Sequence, residues 1–204
     1  PVVYNTSLDL ITEKDDIKLI VIGDNPGKNE QLKKNQRYLV GQAGKLGENF
    51  FKNNPELGID FRKNVIILNK TPVHTAKTNH LKYLEKNSVR AKMLIEESQK
   101  WMAKKTAELH HNLLSADLEN SVELWLVGYG ELKAKGIFSA YKKELKENYK
   151  EKKDWEKVFV FRHFSMNSFS NEFNKIHKEK ADLKVKEILE KLGTMHKNDI
   201  FGTD

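Results

Sequence analysis

The chain contains no cysteine. Disulfides, zinc–thiolate centres and cysteine-ligated iron–sulfur clusters are thereby excluded. Four prolines and eleven glycines in 204 residues leave no Pro/Gly-rich linker, and neither an internal repeat nor a low-complexity segment is present. No apolar run approaches the roughly 20 residues that a bilayer-spanning helix needs. The opening Pro1-Val-Val-Tyr-Asn lacks the basic stretch and apolar core of a secretory leader. No Gly-x-Gly-x-x-Gly opens a helix and no Gly-Lys-Ser/Thr loop is present, which removes the two common nucleotide-binding signatures. These absences lead to the expectation of a cytoplasmic protein with no membrane partner.

What is present suits one folded unit. A length of 204 residues supports a single full core, and 38% hydrophobic against 32% charged residues gives a heavily solvated surface. The expectation is one domain over residues 1–204, monomeric, with 193–204 a loose tail after the helix stop at Gly193. Lys and Arg number 36 against 29 Asp and Glu, a net charge of +7 supplied nearly all by lysine. Such a balance favours polyanions, phosphate backbones above all, although a lysine-rich composition alone produces the same bias.

Four apolar, β-branched runs bounded by turn residues read as strands: residues 17–22, 65–68, 122–127 and 158–161. Three are apolar almost throughout, as in a parallel sheet covered on both faces. Between them the spacing predicts helices at 43–53, at 80–115 with a break near Asn87-Ser88, at 131–149 and at 171–192. In the long helix Leu94, Met102, Leu109 and Leu113 form the expected buried stripe, and Trp101, Trp125 and Trp155 are expected in the core. The Lys/Glu-rich stretch at 142–157 reads as a solvated helix end and loop. The order predicts a three-layer α/β/α fold with a short, mainly parallel four-stranded sheet.

In such a fold the carboxyl ends of the strands share one edge, and chemistry collects there. Four segments meet that description: Gly23-Asp24-Asn25-Pro26-Gly27, Asn69-Lys70-Thr71-Pro72, Gly128-Tyr129-Gly130, and the run from Arg162 through His163 to Ser168. Together they hold carboxamides, an acid and a histidine. An amide offers a donor and an acceptor side by side, matching a pyrimidine edge. A histidine can stabilise charge on a leaving base. Either the acid or Asn25 can position a water. Each piece also has a plainer use: Asn69 as a turn or helix cap, His163 as a structural hydrogen-bonder, Gly128-Tyr-Gly130 as a tight turn. Asp24 and Glu30, six positions apart, make a weak Mg²⁺ site. The adjacent His110 and His111 point to different sides of a helix and make a poor metal pair; no metal is expected.

The pattern resembles the uracil-DNA glycosylase superfamily over most of the chain. Gly23-Asp-Asn-Pro-Gly27 is similar to its first motif, the Asn-Pro-Gly core being that of mismatch-specific and single-strand-selective members. Asp24 and Glu30, followed by Leu39-Val-Gly-Gln-Ala-Gly-Lys-Leu46, look more like the thermostable iron–sulfur branch. His163-Phe-Ser-Met-Asn167 resembles the second motif, usually His-Pro-Ser with a DNA-inserting loop. The resemblance implies a monofunctional glycosylase that hydrolyses the N-glycosidic bond of uracil, or of another deaminated or damaged base, in DNA, and that needs no cofactor. It implies catalytic roles for Asn25, orienting water, and His163, stabilising the departing base. Asp24, Tyr38, Leu39 and Asn69 would bind the base. Gly27, Ser165, Met166 and Asn167 would contact DNA, with Met166 or Phe164 wedging into the stack. The chain departs from the pattern at Leu39, where the iron–sulfur branch stacks a phenylalanine, at Phe164, which replaces proline, and in its lack of cysteine. The alternatives are a hydrolase of free nucleosides or nucleotides, and a catalytically silent DNA- or protein-binding member.

Overall fold

Alternation within the strands decides the layering. The computed structural model describes residues 2–116, 121–149, 152–180 and 182–203. Its strands are β1 (Leu19–Gly23), β2 (Val65–Asn69), β3 (Glu123–Val127) and β4 (Val158–Phe161). They form one parallel sheet in the order β2-β1-β3-β4. Ile20, Ile22, Ile66, Leu68, Leu124, Leu126, Val158 and Val160 pack on one face, and Leu19, Val21, Val65, Ile67, Trp125, Val127, Phe159 and Phe161 on the other. Period-two side chains that are apolar at every position demand helices on both sides.

Those helices are α1 (Gln42–Asn53), α2 (Asn79–Asn87), α3 (Val89–Ala116), α4 (Tyr129–Leu132), α5 (Ser139–Asn148), α6 (Lys152–Glu156), α7 (Ser168–Glu179) and α8 (Val185–Phe201). Leu81 of α2, Ile95, Met102 and Ala107 of α3, and Tyr141 and Leu145 of α5 cover the first face. Phe50 and Phe51 of α1, Phe169 and Phe173 of α7, and Ile188, Leu189 and Leu192 of α8 cover the second. The expected three-layer α/β/α architecture is what the chain adopts. No helix among the described residues is long and apolar enough to cross a membrane.

Four helical expectations are corrected. The helix expected over 131–149 is interrupted where Lys133 turns extended, leaving α4 and α5. The one expected over 171–192 is split into α7 and α8, with residue 181 outside the described residues. Residues 193–201, expected as a loose tail, complete α8. Gly193 is no stop signal: it is buried against β4, where a Cβ would come within 2.7 Å of Phe161 and 2.8 Å of Phe159. Glycine is there to let the helix approach the sheet. The break expected near Asn87-Ser88 is present, since Ser88 is extended between α2 and α3.

The buried stripe of α3 also differs from the apolar pattern. Leu94 and Trp101 are exposed, while polar Gln99, Thr106 and His110 are sealed in. Gln99 donates to the Ile137 carbonyl and accepts from the Tyr141 N–H, and Tyr141 donates its hydroxyl to Thr106. Buried polar groups with full partners behave as core, which hydrophobicity alone does not register. Trp125 and Trp155 are in the core as expected. Of the stretch at 142–157, Tyr149 and Trp155 are buried, and residues 150 and 151 lie outside the described residues.

Candidate active site at the carboxyl edge of the sheet

Chain order reverses between β1 and β3, which lie side by side while β2 and β4 flank them. This is the switch point at which open α/β sheets hold ligands. Asp24 leaves β1 here and lays its carboxylate against Gly128, at the end of β3. Gly128 has φ +100°, and any Cβ on it would overlap Asp24 Oδ1. Both the left-handed backbone and the close approach require glycine.

Beneath them lies Lys70, the first residue after β2. Its side chain is fully buried, and Nζ donates to Asp24 Oδ1 at 2.7 Å, to the Val127 carbonyl at 2.5 Å and to the Gly23 carbonyl at 3.3 Å. Burial pulls the ammonium below its ordinary range, with Asp24 and then Glu131 opposing that shift. Among the described residues nothing hydrogen-bonds to Asp24 Oδ2, and it is not sealed from the surface.

Asn69 ends β2 in register with Gly23, and its Oδ1 occupies the space a side chain on Gly23 would take. The residue is 3% exposed. Its carboxamide has no hydrogen-bond partner among the described residues, yet neither polar atom is enclosed. A buried amide normally finds partners; this one has none among the described residues.

His163 follows β4. The backbone N–H of Ser165, at 3.1 Å, and its hydroxyl, at 2.8 Å, converge on Nδ1. An N–H only donates, so Nδ1 is an acceptor and the neutral ring carries its hydrogen on Nε2. Nothing among the described residues accepts from Nε2. Burial lowers the imidazole pKa, and Lys70 adds to this; Asp24 and Glu30 oppose it. The ring is thus held as a neutral donor.

Other residues expected in the site are placed differently. Asn25 turns toward the loop after β2: Nδ2 donates to Thr75 Oγ1 at 2.9 Å and to the Val73 and Pro26 carbonyls, and Oδ1 accepts from Thr78 at 3.0 Å. Its amide is spent on holding that loop, together with a 2.8 Å bond between His74 Nδ1 and the Pro26 carbonyl. The Gly27 N–H is given to Glu30 Oε2 at 2.6 Å. Tyr38 is buried and donates its hydroxyl to the Val3 carbonyl; burial raises its pKa to about 12. Leu39 is buried too, at φ +51°, with its carbonyl taken by Arg62. Neither side chain offers an open stacking face. Phe164 is 1% exposed and edge-on to Phe61 and Phe169, so it is a core anchor and not a wedge. Met166 is 84% exposed, and it and Asn167 both have left-handed backbone, φ +54° and +55°. Left-handed backbone at two successive non-glycine residues is a strained turn, and the methionine side chain stands out in solvent from it.

Lys70 escaped the sequence reading. The signal was there: a lysine directly after a wholly apolar strand and before Thr71-Pro72 falls where solvent is scarce. No cluster of three or more metal-binding side chains occurs among the described residues. His110 and His111 do diverge, His110 to Tyr149 and the Val122 carbonyl, His111 to Asp154. A cavity of about 1580 Å³ opens at the opposite edge of the sheet, near Lys18, Glu123 and Val185, and none of the candidate residues lines it. Compared with known proteins, the chain matches no family model and no curated relative.

Proposed function

We propose that the chain is a monofunctional DNA N-glycosylase removing uracil or a closely related deaminated base. One observation carries this reading: the unpartnered Asn69 carboxamide shares the switch-point edge with the neutral His163 Nε2–H and the unpaired Asp24 oxygen. A reader of the base edge, a donor for the leaving base and a carboxylate for water are the three parts that such a hydrolysis needs.

In this reading Asn69 Oδ1 accepts from N3–H of the flipped pyrimidine and Nδ2 donates to O4. The C1′–N1 bond breaks with its electron pair leaving on the base, and His163 Nε2–H donates to O2 as negative charge gathers there. Asp24 Oδ2 faces the positive charge developing on the sugar, aligns the water that bonds to C1′ and takes its proton. The base leaves as its anion and takes up, through solvent, the proton that Asp24 gives back, so the products are free base and an abasic site. Asp24 has this role in preference to Asn25 because both ends of the Asn25 amide are occupied. The exposed Met166 suits insertion where the base has left, and Asn167 beside it suits the flanking phosphate, whereas both Ser165 donors are engaged by His163. The net charge of +7 favours the same partner.

The test is base release from uracil-containing single-stranded and mismatched duplex oligonucleotides, read by alkaline cleavage at abasic sites. Wild type should cleave, and Asp24→Asn and His163→Ala should each fall by at least about 100-fold. Turnover of free nucleosides that survives Met166→Ala, with no release from DNA, would replace this reading by a small-molecule hydrolase. DNA binding without release of any base would leave a binding protein.

A further inference from the structure

A fully buried ammonium is costly unless every hydrogen is matched and its charge is met. Lys70 satisfies both conditions. Its three N–H groups have three acceptors, the Gly23 carbonyl and Asp24 Oδ1 from the end of β1 and the Val127 carbonyl from the end of β3, while Lys70 itself extends β2. The Phe138 ring closes over it at 5.0 Å. One side chain therefore ties together three neighbouring strand ends, at the point where the sheet changes direction.

From this geometry we infer that Lys70 is a positioning residue, fixing the Asp24 carboxylate with Oδ1 inward and Oδ2 toward the site. The inference rests on the glycosylase reading for what Asp24 then does, but the arrangement itself is independent of it. Asp24 is pinned from below by Lys70 and from the side by the bare backbone of Gly128, so its second oxygen has one direction left. The charged and titratable groups facing the pair are Glu131 and His163. Without Lys70, Asp24 would be a nearly enclosed anion with no other cation paired to it among the described residues and with Oδ1 no longer held. A carboxylate free to turn presents neither oxygen steadily to a sugar cation or to a water. Lys70 is not a nucleophile: its hydrogens are all committed and no part of it is exposed, so no Schiff base with an abasic sugar forms.

Lys70→Met keeps the stem and removes the charge. The ¹³C carboxyl resonance of Asp24, assigned by its loss in Asp24→Asn, should move or split in Lys70→Met at neutral pH as the carboxylate loses its fixed orientation. For base release kcat should fall at least about tenfold with KM held. An Asp24 resonance that is single and unmoved in folded Lys70→Met overturns the inference even if wild type releases no base. Failure of wild type to release uracil, with the resonance moving as expected, refutes the function and keeps the positioning. Should Lys70→Met not fold, Lys70→Arg keeps the charge but not the three-acceptor geometry: a tenfold or greater loss of kcat supports the inference, and wild-type kcat overturns it. Borohydride trapping of wild type on uracil-containing DNA should give no covalent adduct; an adduct lost in Lys70→Met would make Lys70 a nucleophile and overturn it as well.

Discussion

Two asparagines at the ends of neighbouring strands have opposite fates, and hydrogen-bond partners separate them. Asn25 is saturated by Thr75, Thr78 and two carbonyls, whereas Asn69 is nearly buried with its amide unclaimed. Asn69→Ala should therefore cost little stability while lowering uracil release at least about 100-fold, because it deletes both contacts to the base edge. Base-release kinetics beside a thermal melt checks this, and a destabilised but active variant would refute it. His163 gives a pH expectation. Its pKa is lowered by burial, so protonation of the imidazole is displaced to the acid side of an ordinary histidine. The midpoint of activity loss should therefore lie below about pH 6.5. A pH–rate profile with a descending limb near 6.5 that vanishes in His163→Ala would contradict this.

At the scale of the element, α8 shows how a local preference loses to packing. Alanine is favoured over glycine in a helix interior by about 1 kcal/mol. At Gly193 the added methyl would meet Phe161 at 2.7 Å and Phe159 at 2.8 Å, and the Phe159 contact is with Cβ, which cannot swing away. Overpacking of this kind costs about 1–3 kcal/mol, so Gly193→Ala should lower the melting temperature in spite of its helix propensity. Differential scanning calorimetry decides; a rise would mean that α8 can lift from β4. The same helix shows why Gly193 is an ambiguous signal in sequence. Glycine marks a stop only when nothing presses against it, and what presses here is a strand more than thirty residues earlier. In α3 the buried Gln99, Thr106 and His110 were illegible for a related reason: their partners Ile137, Tyr141, Val122 and Tyr149 lie on other elements.

For the molecule as a whole, a buried histidine sets an acid limit to stability. The Val122 carbonyl accepts from His110 Nε2–H and Tyr149 donates to Nδ1, so the ring is neutral, and burial lowers its pKa to about 4. The unfolded chain binds a proton at this site from about pH 6.5 downward, the native state only near 4. Between those values the unfolded state holds more protons, so stability is complete above pH 6.5 and declines as pH falls through the window, by up to about 3 kcal/mol. His110→Gln should flatten that part of the curve, measured as urea-unfolding free energy against pH. An unchanged slope would place the acid sensitivity on other groups.

The parallel sheet, the two covering layers and the edge at which Asp24, Asn69, Gly128 and His163 assemble are legible in the chain alone. These follow from information local to each segment: apolar runs of strand length, the turns that end them, and the rule that parallel strands finish at one edge. Tertiary structure decided which atoms at that edge are free. Whether an amide is spent or available, whether Phe164 is a wedge or an anchor, and whether Lys70 is a solvated charge or the tie beneath Asp24 all depend on partners from distant segments. The strand order that lets Lys70 reach past β1 to β3 is written in no single stretch of chain. Hydrogen bonding and burial are pair properties, and the sequence states only one member of each pair at a time.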